Sequence, residues 1–265
     1  MKNKKIMVLV IIFAIVIISI FSFNLLKSNK YSNDTIGSLA YNYTKNEEIV
    51  YLLEDGKYIP YIVLHNNYSN NSDTLLLRKN VIGNDEYYTG YNGSIMTEKI
   101  YKSHLEMSNF ENYENTAVDN FLLNVFPQKF EQNFLNIINN TKLSLSLYNN
   151  GDYNNSAINR KFFILSFLEL NTTGENQSAN KTRLKYFEND NKRVAKNDAG
   201  ITVVYWTRTY AWSGFGAVGL NGSIITETSS EAKYGVRPAL TINSNTKIKK
   251  VYNQDYNKEI WILDI

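Results

Sequence analysis

Residues 49–81 read IVYLLEDGKYIPYIVLHNNYSNNSDTLLLRKNV. Three runs within it, 49–53, 58–65 and 74–81, are rich in β-branched, aromatic and aliphatic side chains. Asp55-Gly56 separates the first two, and an Asn/Ser cluster separates the second from the third. Short apolar runs punctuated by turn residues read as strands, so the stretch predicts an antiparallel meander.

Downstream the period changes. Residues 116–126 (TAVDNFLLNVF) place Val118, Phe121, Leu122 and Val125 on one helical stripe, with Thr116 and Asp119 in capping-box-like spacing. Pro127 stops that helix, and 128–140 (QKFEQNFLNIINN) predicts a second, with Phe130, Phe134, Ile137 and Ile138 on its buried face. Strand-like runs return at 162–166, 201–207, 216–227, 236–242 and 260–265, the third with a hairpin signal at Asn221-Gly222. The expected fold class is α+β, with many short, mainly antiparallel strands and two or three helices. The stretch GYNGSIMTE at 90–98 nearly repeats as GLNGSIITE at 219–227. It reads as two turns of similar chemistry, or as a duplicated unit whose flanks do not repeat.

Upstream, the run IMVLVIIFAIVIISIFSF at 6–23 carries no charge. At ~1.5 Å per residue it nearly crosses a hydrocarbon core ~30 Å thick, and residues 24–26 complete the span. The alternative is a cleaved signal peptide, whose apolar region is usually about 7–15 residues and is followed by a small-x-small site. The exit here shows no A-x-A pattern, which favours the anchor, and on either reading the chain from about residue 27 is outside. Lys2, Lys4 and Lys5 stand ahead of the run and keep that end in the cytoplasm. The expected organisation is a cytoplasmic start at 1–5, a transmembrane anchor at 6–26, a polar spacer at 27–46 and an extracytoplasmic domain at 47–265.

The net charge of +3 belongs to this leader. Five lysines and no acidic residue fall in the first thirty positions, and beyond them acidic groups slightly outnumber basic ones. Such a body has no electrostatic footprint for a phosphate backbone, so nucleic acid is not an expected partner. Asn, about one residue in seven, reflects compositional bias rather than chemistry.

Catalytic signatures are thin. With no Cys there is no disulfide, thiolate metal site or cysteine nucleophile. The two histidines, His65 and His104, stand in no H-E-x-x-H, and no G-x-S-x-G occurs. Glu188-Asn189-Asp190 and Lys196-Asn197-Asp198 look partly like calcium triplets, but a calcium site needs about six to eight oxygens. No metal or cofactor is expected. A carboxylate pair for glycoside hydrolysis stays open among the 25 acidic residues.

Glu169, Arg208 and Arg237 each sit among apolar neighbours, where a charge is buried and needs a partner. The expectation is a structural ion pair of Glu169 with Arg208 or Arg237. Tyr210, Trp212 and Phe215 lie in TYAWSGFG (209–216), read as an aromatic loop between strands. They are the ligand-binding candidates, because exposed rings beside small residues can stack on a sugar or on a partner's apolar patch. The alternative is a mini-core of the same three rings.

The ordered motifs YIVLHN (61–66), DTLLLRKNVI (73–82), YENTAVDNFLLNVF (113–126), FFILSFLE (162–169), YWTR (205–208), VGLNGSI (218–224) and GVRPAL (235–240) carry a resemblance. Together they resemble the domain of unknown function 6273, a mainly bacterial family of surface and secreted proteins, over about residues 49–246. Its name implies no activity. The closing motif is similar to the last strand of the formylglycine-generating-enzyme branch of C-type-lectin-like folds, which implies a C-type-lectin-like domain. That branch works with cysteines and copper, so without Cys its oxidase chemistry cannot transfer. The lectin triplets Glu-Pro-Asn, Gln-Pro-Asp and Trp-Asn-Asp are also missing. The function expected is non-catalytic recognition of a cell-surface glycan or protein partner by a membrane-anchored module. The alternatives are a carboxylate-dependent hydrolase of surface glycans and a structural envelope component.

Overall fold

The computed structural model describes residues 34–41, 47–83, 104–107, 113–149, 152–172, 183–211, 214–227 and 232–265. In chain order its strands begin with β1 (Ile49–Glu54), β2 (Lys57–Asn66), β3 (Asp73–Arg78) and β4 (His104–Glu106). Two short helices follow, α1 (Ala117–Asn124) and α2 (Gln132–Ile137). Next come β5 (Thr141–Asn149), β6 (Asp152–Arg160), β7 (Phe162–Phe163), β8 (Ala195–Lys196), β9 (Thr202–Val203), β10 (Tyr205–Ala211) and β11 (Gly214–Val218). The chain closes with β12 (Ile224–Glu227), β13 (Lys233–Gly235), β14 (Ala239–Asn243), β15 (Ile248–Asn253) and β16 (Lys258–Leu263).

The meander is present. β1 and β2 pair antiparallel until Glu54 faces Lys57, leaving Asp55 and Gly56 to turn alone. Both have positive φ, 47° and 76°, which is the two-residue turn whose twist matches the strands. β2 and β3 are antiparallel with a register shift between Val63 and His65, where Leu64 is the extra residue of a bulge. Tyr61 to Leu64 are all buried, as are all six residues of β3, so the middle of this sheet is covered on both faces. β14 joins the free edge of β3, β7 joins β14, and β16 runs parallel to β1. The result is a seven-stranded sheet in the order β15-β16-β1-β2-β3-β14-β7. A second, five-stranded sheet has the order β12-β11-β10-β13-β4.

Between them lies one main core, into which the link between the two helices inserts an aromatic stack. Phe126 meets Phe162 edge-on at 5.1 Å, and Phe130 stacks on Phe162 at 5.3 Å. Thr116 caps α1 by accepting the Asp119 N–H at 3.1 Å. Both helices are shorter than their apolar stripes predict. Residues 126–129 around Pro127 tighten into a 3-10 turn, and Ile138 leaves α2 to bridge Ile242 of β14. Similarly, the expected strand at 162–166 keeps only β7, because the turn that follows begins at Ser166. The hairpin β5–β6 was not anticipated, although Leu143 and Leu145 alternate with polar residues and Asn150-Gly151 follows.

Among the described residues no helix is long and apolar enough to cross a membrane. The expected anchor at 6–26 lies outside the described residues, as do most of the expected spacer at 27–46 and the copy of the near-repeat at 90–98.

His65 stands beside the bulge, half-buried. Burial lowers its pKa from 6.5, with Lys185 reinforcing the shift and Asp73 opposing it. The unfolded chain then binds a proton that the fold resists. The contribution is intact above the unfolded value and is lost as pH falls below it. Thermal melts from about pH 7 to about pH 5 should show the wild type losing stability more steeply than His65→Gln. Parallel curves would show that this histidine titrates alike in both states.

Candidate functional site

The turn after β7 swings Glu169 back beneath β10. Its carboxylate accepts the Ser166 N–H at 2.8 Å and the Tyr68 hydroxyl at 2.5 Å. Both terminal nitrogens of Arg208 complete the set, one of them at 2.6 Å. Arg208 also donates to the Ile164 carbonyl at 2.7 Å and lies 5.9 Å from the Phe163 ring centre. Both charges are buried. Burial first, and then the charge of Glu169, push the Tyr68 phenol well above its ordinary pKa, so it remains a donor. With every partner engaged, this cluster is a scaffold.

Arg237 does not reach Glu169. It donates to the carbonyls of Arg78 and Lys79, each at 3.0 Å, and lies 5.5 Å from the centre of the Tyr205 ring. A second buried ionic cluster was not anticipated from sequence. Arg78 holds Glu54 at 2.9 Å and Asp198 at 2.8 Å, while Tyr61 donates to Glu54 at 2.7 Å. Burial works against the Arg78 charge, but Glu54 beside it raises the pKa above the ordinary range. The signal was available, because Glu54 and Arg78 end apolar runs just as Glu169 does.

The aromatic stretch at 209–216 is a hairpin rather than a loop. β10 continues through Ala211, β11 begins at Gly214, and Tyr210 and Phe215 are direct cross-strand partners. Their rings meet edge-on at 5.3 Å and are only 8% and 1% exposed. Neither ring is offered to a ligand, which corrects the expectation for these two residues. Trp212 lies outside the described residues. The neighbouring Gly216 has a steric reason, because a Cβ there would fall 2.1 Å from the Phe167 ring.

The concave feature of this sheet is elsewhere. Register places Trp206, Ala217 and Ile225 side by side across β10, β11 and β12, and the Tyr234 ring of β13 packs on Trp206 at 4.5 Å. The β11–β12 connection closes one end, with Gly219 N–H bonded to the Ser223 carbonyl at 2.8 Å. Gly222 takes φ +83° there, and a Cβ would meet the Asp190 carbonyl at 2.2 Å. Within the turn, the Asn221 amide oxygen accepts the Ser223 N–H at 3.0 Å. A groove of about 420 Å³ results, lined by Val204, Leu220, Asn221, Ser223, Ile225, Glu227 and Tyr234, among others. The Tyr234 hydroxyl donates to Glu227 at 2.7 Å. Most of the lining belongs to the 219–227 copy of the near-repeat, so the pattern was visible in sequence although its role was not.

Among the described residues no group of three or more His, Asp or Glu could hold a metal ion. In the two calcium look-alikes, Asp190 pairs with Arg193 and Asp198 with Arg78.

A family model described as a domain of unknown function (DUF6273) matches residues 71–244. The match covers more than half of the chain, and the chain belongs to that family. No curated protein and no solved structure matches significantly.

The Glu169–Arg208 geometry gives a stability test. Arg208→Met should cost about 3–5 kcal/mol by stranding a buried carboxylate, and adding Glu169→Leu should recover much of that loss. Denaturant unfolding of both variants measures it. A single variant within about 0.5 kcal/mol of wild type would show that the pair is dispensable.

Proposed function

We propose that this chain is a single-pass membrane protein whose extracytoplasmic domain is a non-catalytic recognition module for a cell-surface glycan or protein partner. The observation that carries the reading is the 219–227 groove. Its volume, about 420 Å³, falls in the range of small-ligand sites, and it mixes apolar walls with a few polar groups. We also infer a C-type-lectin-like relationship for the domain. It is supported by the closing motif at 235–240, which leads directly into β14, an interior strand of the large sheet.

The hydrolase alternative fits the groove less well. Glycoside hydrolysis ordinarily needs two carboxylates, and among the described lining residues Glu227 is the one acidic side chain. Glu54 and Glu169 are buried and committed to arginines. The membrane reading rests on the uncharged run at 6–23 behind Lys2, Lys4 and Lys5.

Two experiments test these statements. Protease added to intact cells should digest the body and leave the N-terminal lysines protected, whereas a body protected until the membrane is opened would reverse the orientation. Purified full-length chain should bind an envelope polysaccharide or envelope protein fraction without turnover. Leu220→Asp, at an exposed groove position, should abolish that binding, while Leu123→Asp, equally exposed on α1, should leave it intact. Turnover, or binding indifferent to Leu220→Asp, would defeat the reading.

A further inference from the structure

We propose that the end of the large sheet built from β15, β16 and β1 rests on the lipid headgroups of the bilayer that anchors the chain, an inference that rests on the membrane reading above and gives the domain its orientation. Reach is the first constraint. The described chain enters this end of the sheet at Asp34, whose carbonyl accepts the Ile248 N–H at 2.9 Å while Thr35 bridges Lys247. Residues 27–33 alone separate Asp34 from the expected anchor, and seven residues reach at most about 25 Å. Strands spaced ~4.8 Å make a seven-stranded sheet about 29 Å across, and β15 is its outermost member on this side. The tether therefore keeps the β15 edge, and not the β7 edge, near the bilayer.

The second constraint is what this end presents. Register sets Tyr51, Ile262 and Lys249 side by side across β1, β16 and β15, with Ile260 opposite Val251. Val50, Leu52 and Leu263, at the alternate positions, belong to the main core, so this row lies on the other face of the sheet. There Tyr51, Ile260 and Ile262 form a small apolar cluster of their own, with Tyr58 and Val251 packed against it. The Tyr256 ring lies 4.8 Å from that of Tyr51. Seven large apolar side chains are exposed among the described residues, and four of them, Leu53, Tyr252, Tyr256 and Ile265, gather at this end.

Charge is the third constraint. Lys258 lies 5.7 Å from the centre of the Tyr51 ring and 6.0 Å from that of Tyr256. Lys249 pairs with Asp264 at 2.7 Å and Lys250 approaches Glu259 at 4.0 Å, whereas Lys247 and Lys258 form no ion pair among the described residues. Asp255, in the turn between β15 and β16, is the carboxylate left to oppose them. Beside the row a groove of about 220 Å³ is lined by Tyr51, Leu53, Tyr58, Lys249 and Glu131, among others, so its own charges balance. Tyrosine rings sit at headgroup level in a bilayer interface, and a lysine stem lies along apolar surface while its ammonium reaches a phosphate. So small an excess of positive charge would capture few bilayers from solution. The tether makes the contact intramolecular, and a weak patch is then enough. Set down on this face, the domain turns the five-stranded sheet, which lies across the core, to the side away from the bilayer.

Because the chain has no Cys, one introduced Cys carries a fluorophore at a single place. Leu53→Cys, Leu123→Cys and Leu220→Cys compare positions of nearly equal exposure, 40%, 42% and 43%. Full-length chain with each label is reconstituted into phosphatidylcholine–phosphatidylglycerol liposomes that contain a headgroup-nitroxide lipid as quencher. The Leu53 label should lose most of its fluorescence and the other two little. Equal quenching at all three positions, or none at Leu53, in a chain that still floats with the liposomes would overturn the contact and leave the anchor standing. A chain that does not float with them would overturn anchor and contact together. Lys247→Glu combined with Lys258→Glu should restore the Leu53 fluorescence, and quenching unchanged by that pair would overturn the role given to the two lysines.

Discussion

A guanidinium shut away from water has to be matched, and Arg78 is matched on several sides. Glu54 of β1 and Asp198 of the β8–β9 region take its side chain, and the Asn80 carbonyl takes one more N–H. Its backbone is used as well, the N–H by the Pro238 carbonyl and the carbonyl by Arg237. A buried pair of this kind adds little net stability over an apolar replacement, but neither member can lose the other cheaply. The constraint is therefore geometric. It fixes the end of β3 relative to β1, the β8–β9 region and the residues that lead from β13 into β14, where the two sheets meet.

The family match spans residues 71–244, which leaves β1, β2, β15 and β16 outside it. These strands supply four of the seven members of the large sheet. They are tied to the matched part by the β2–β3 ladder and by Glu54, whose carboxylate would be buried and uncompensated without Arg78. The five-stranded sheet, and with it the groove, lies wholly within the matched span. Groove and scaffold differ in how their polar groups are used. Inside, Glu169, Arg208, Glu54 and Arg78 are saturated by one another and by backbone. At the groove the partners lie close together in the chain, Asn221 accepting from Ser223 and Glu227 from Tyr234.

The sequence by itself determined what depends on neighbours along the chain. Asp55-Gly56 specifies a two-residue turn, Thr116 a helix cap, Pro127 the end of a helix and Gly222 a position of positive φ, because each is set by local backbone sterics or one short hydrogen bond. Burial of Glu169 and Arg208 was equally legible, since a charge in an apolar run has few other places to go. Which charges meet was decided only by the tertiary structure. Glu169 finds Arg208 from 39 residues away, and Arg78 finds Asp198 across 120. Arg237, alike in sequence context, settles on carbonyls instead. The same holds for Tyr210 and Phe215, whose direction follows from a hairpin register, and for the groove, whose walls come from β12, β13 and the turn at 219–223. Composition and periodicity record how a residue relates to its own strand, whereas pairing across sheets is settled by closure of the whole chain, where a one-residue change of register turns every side chain to the other face.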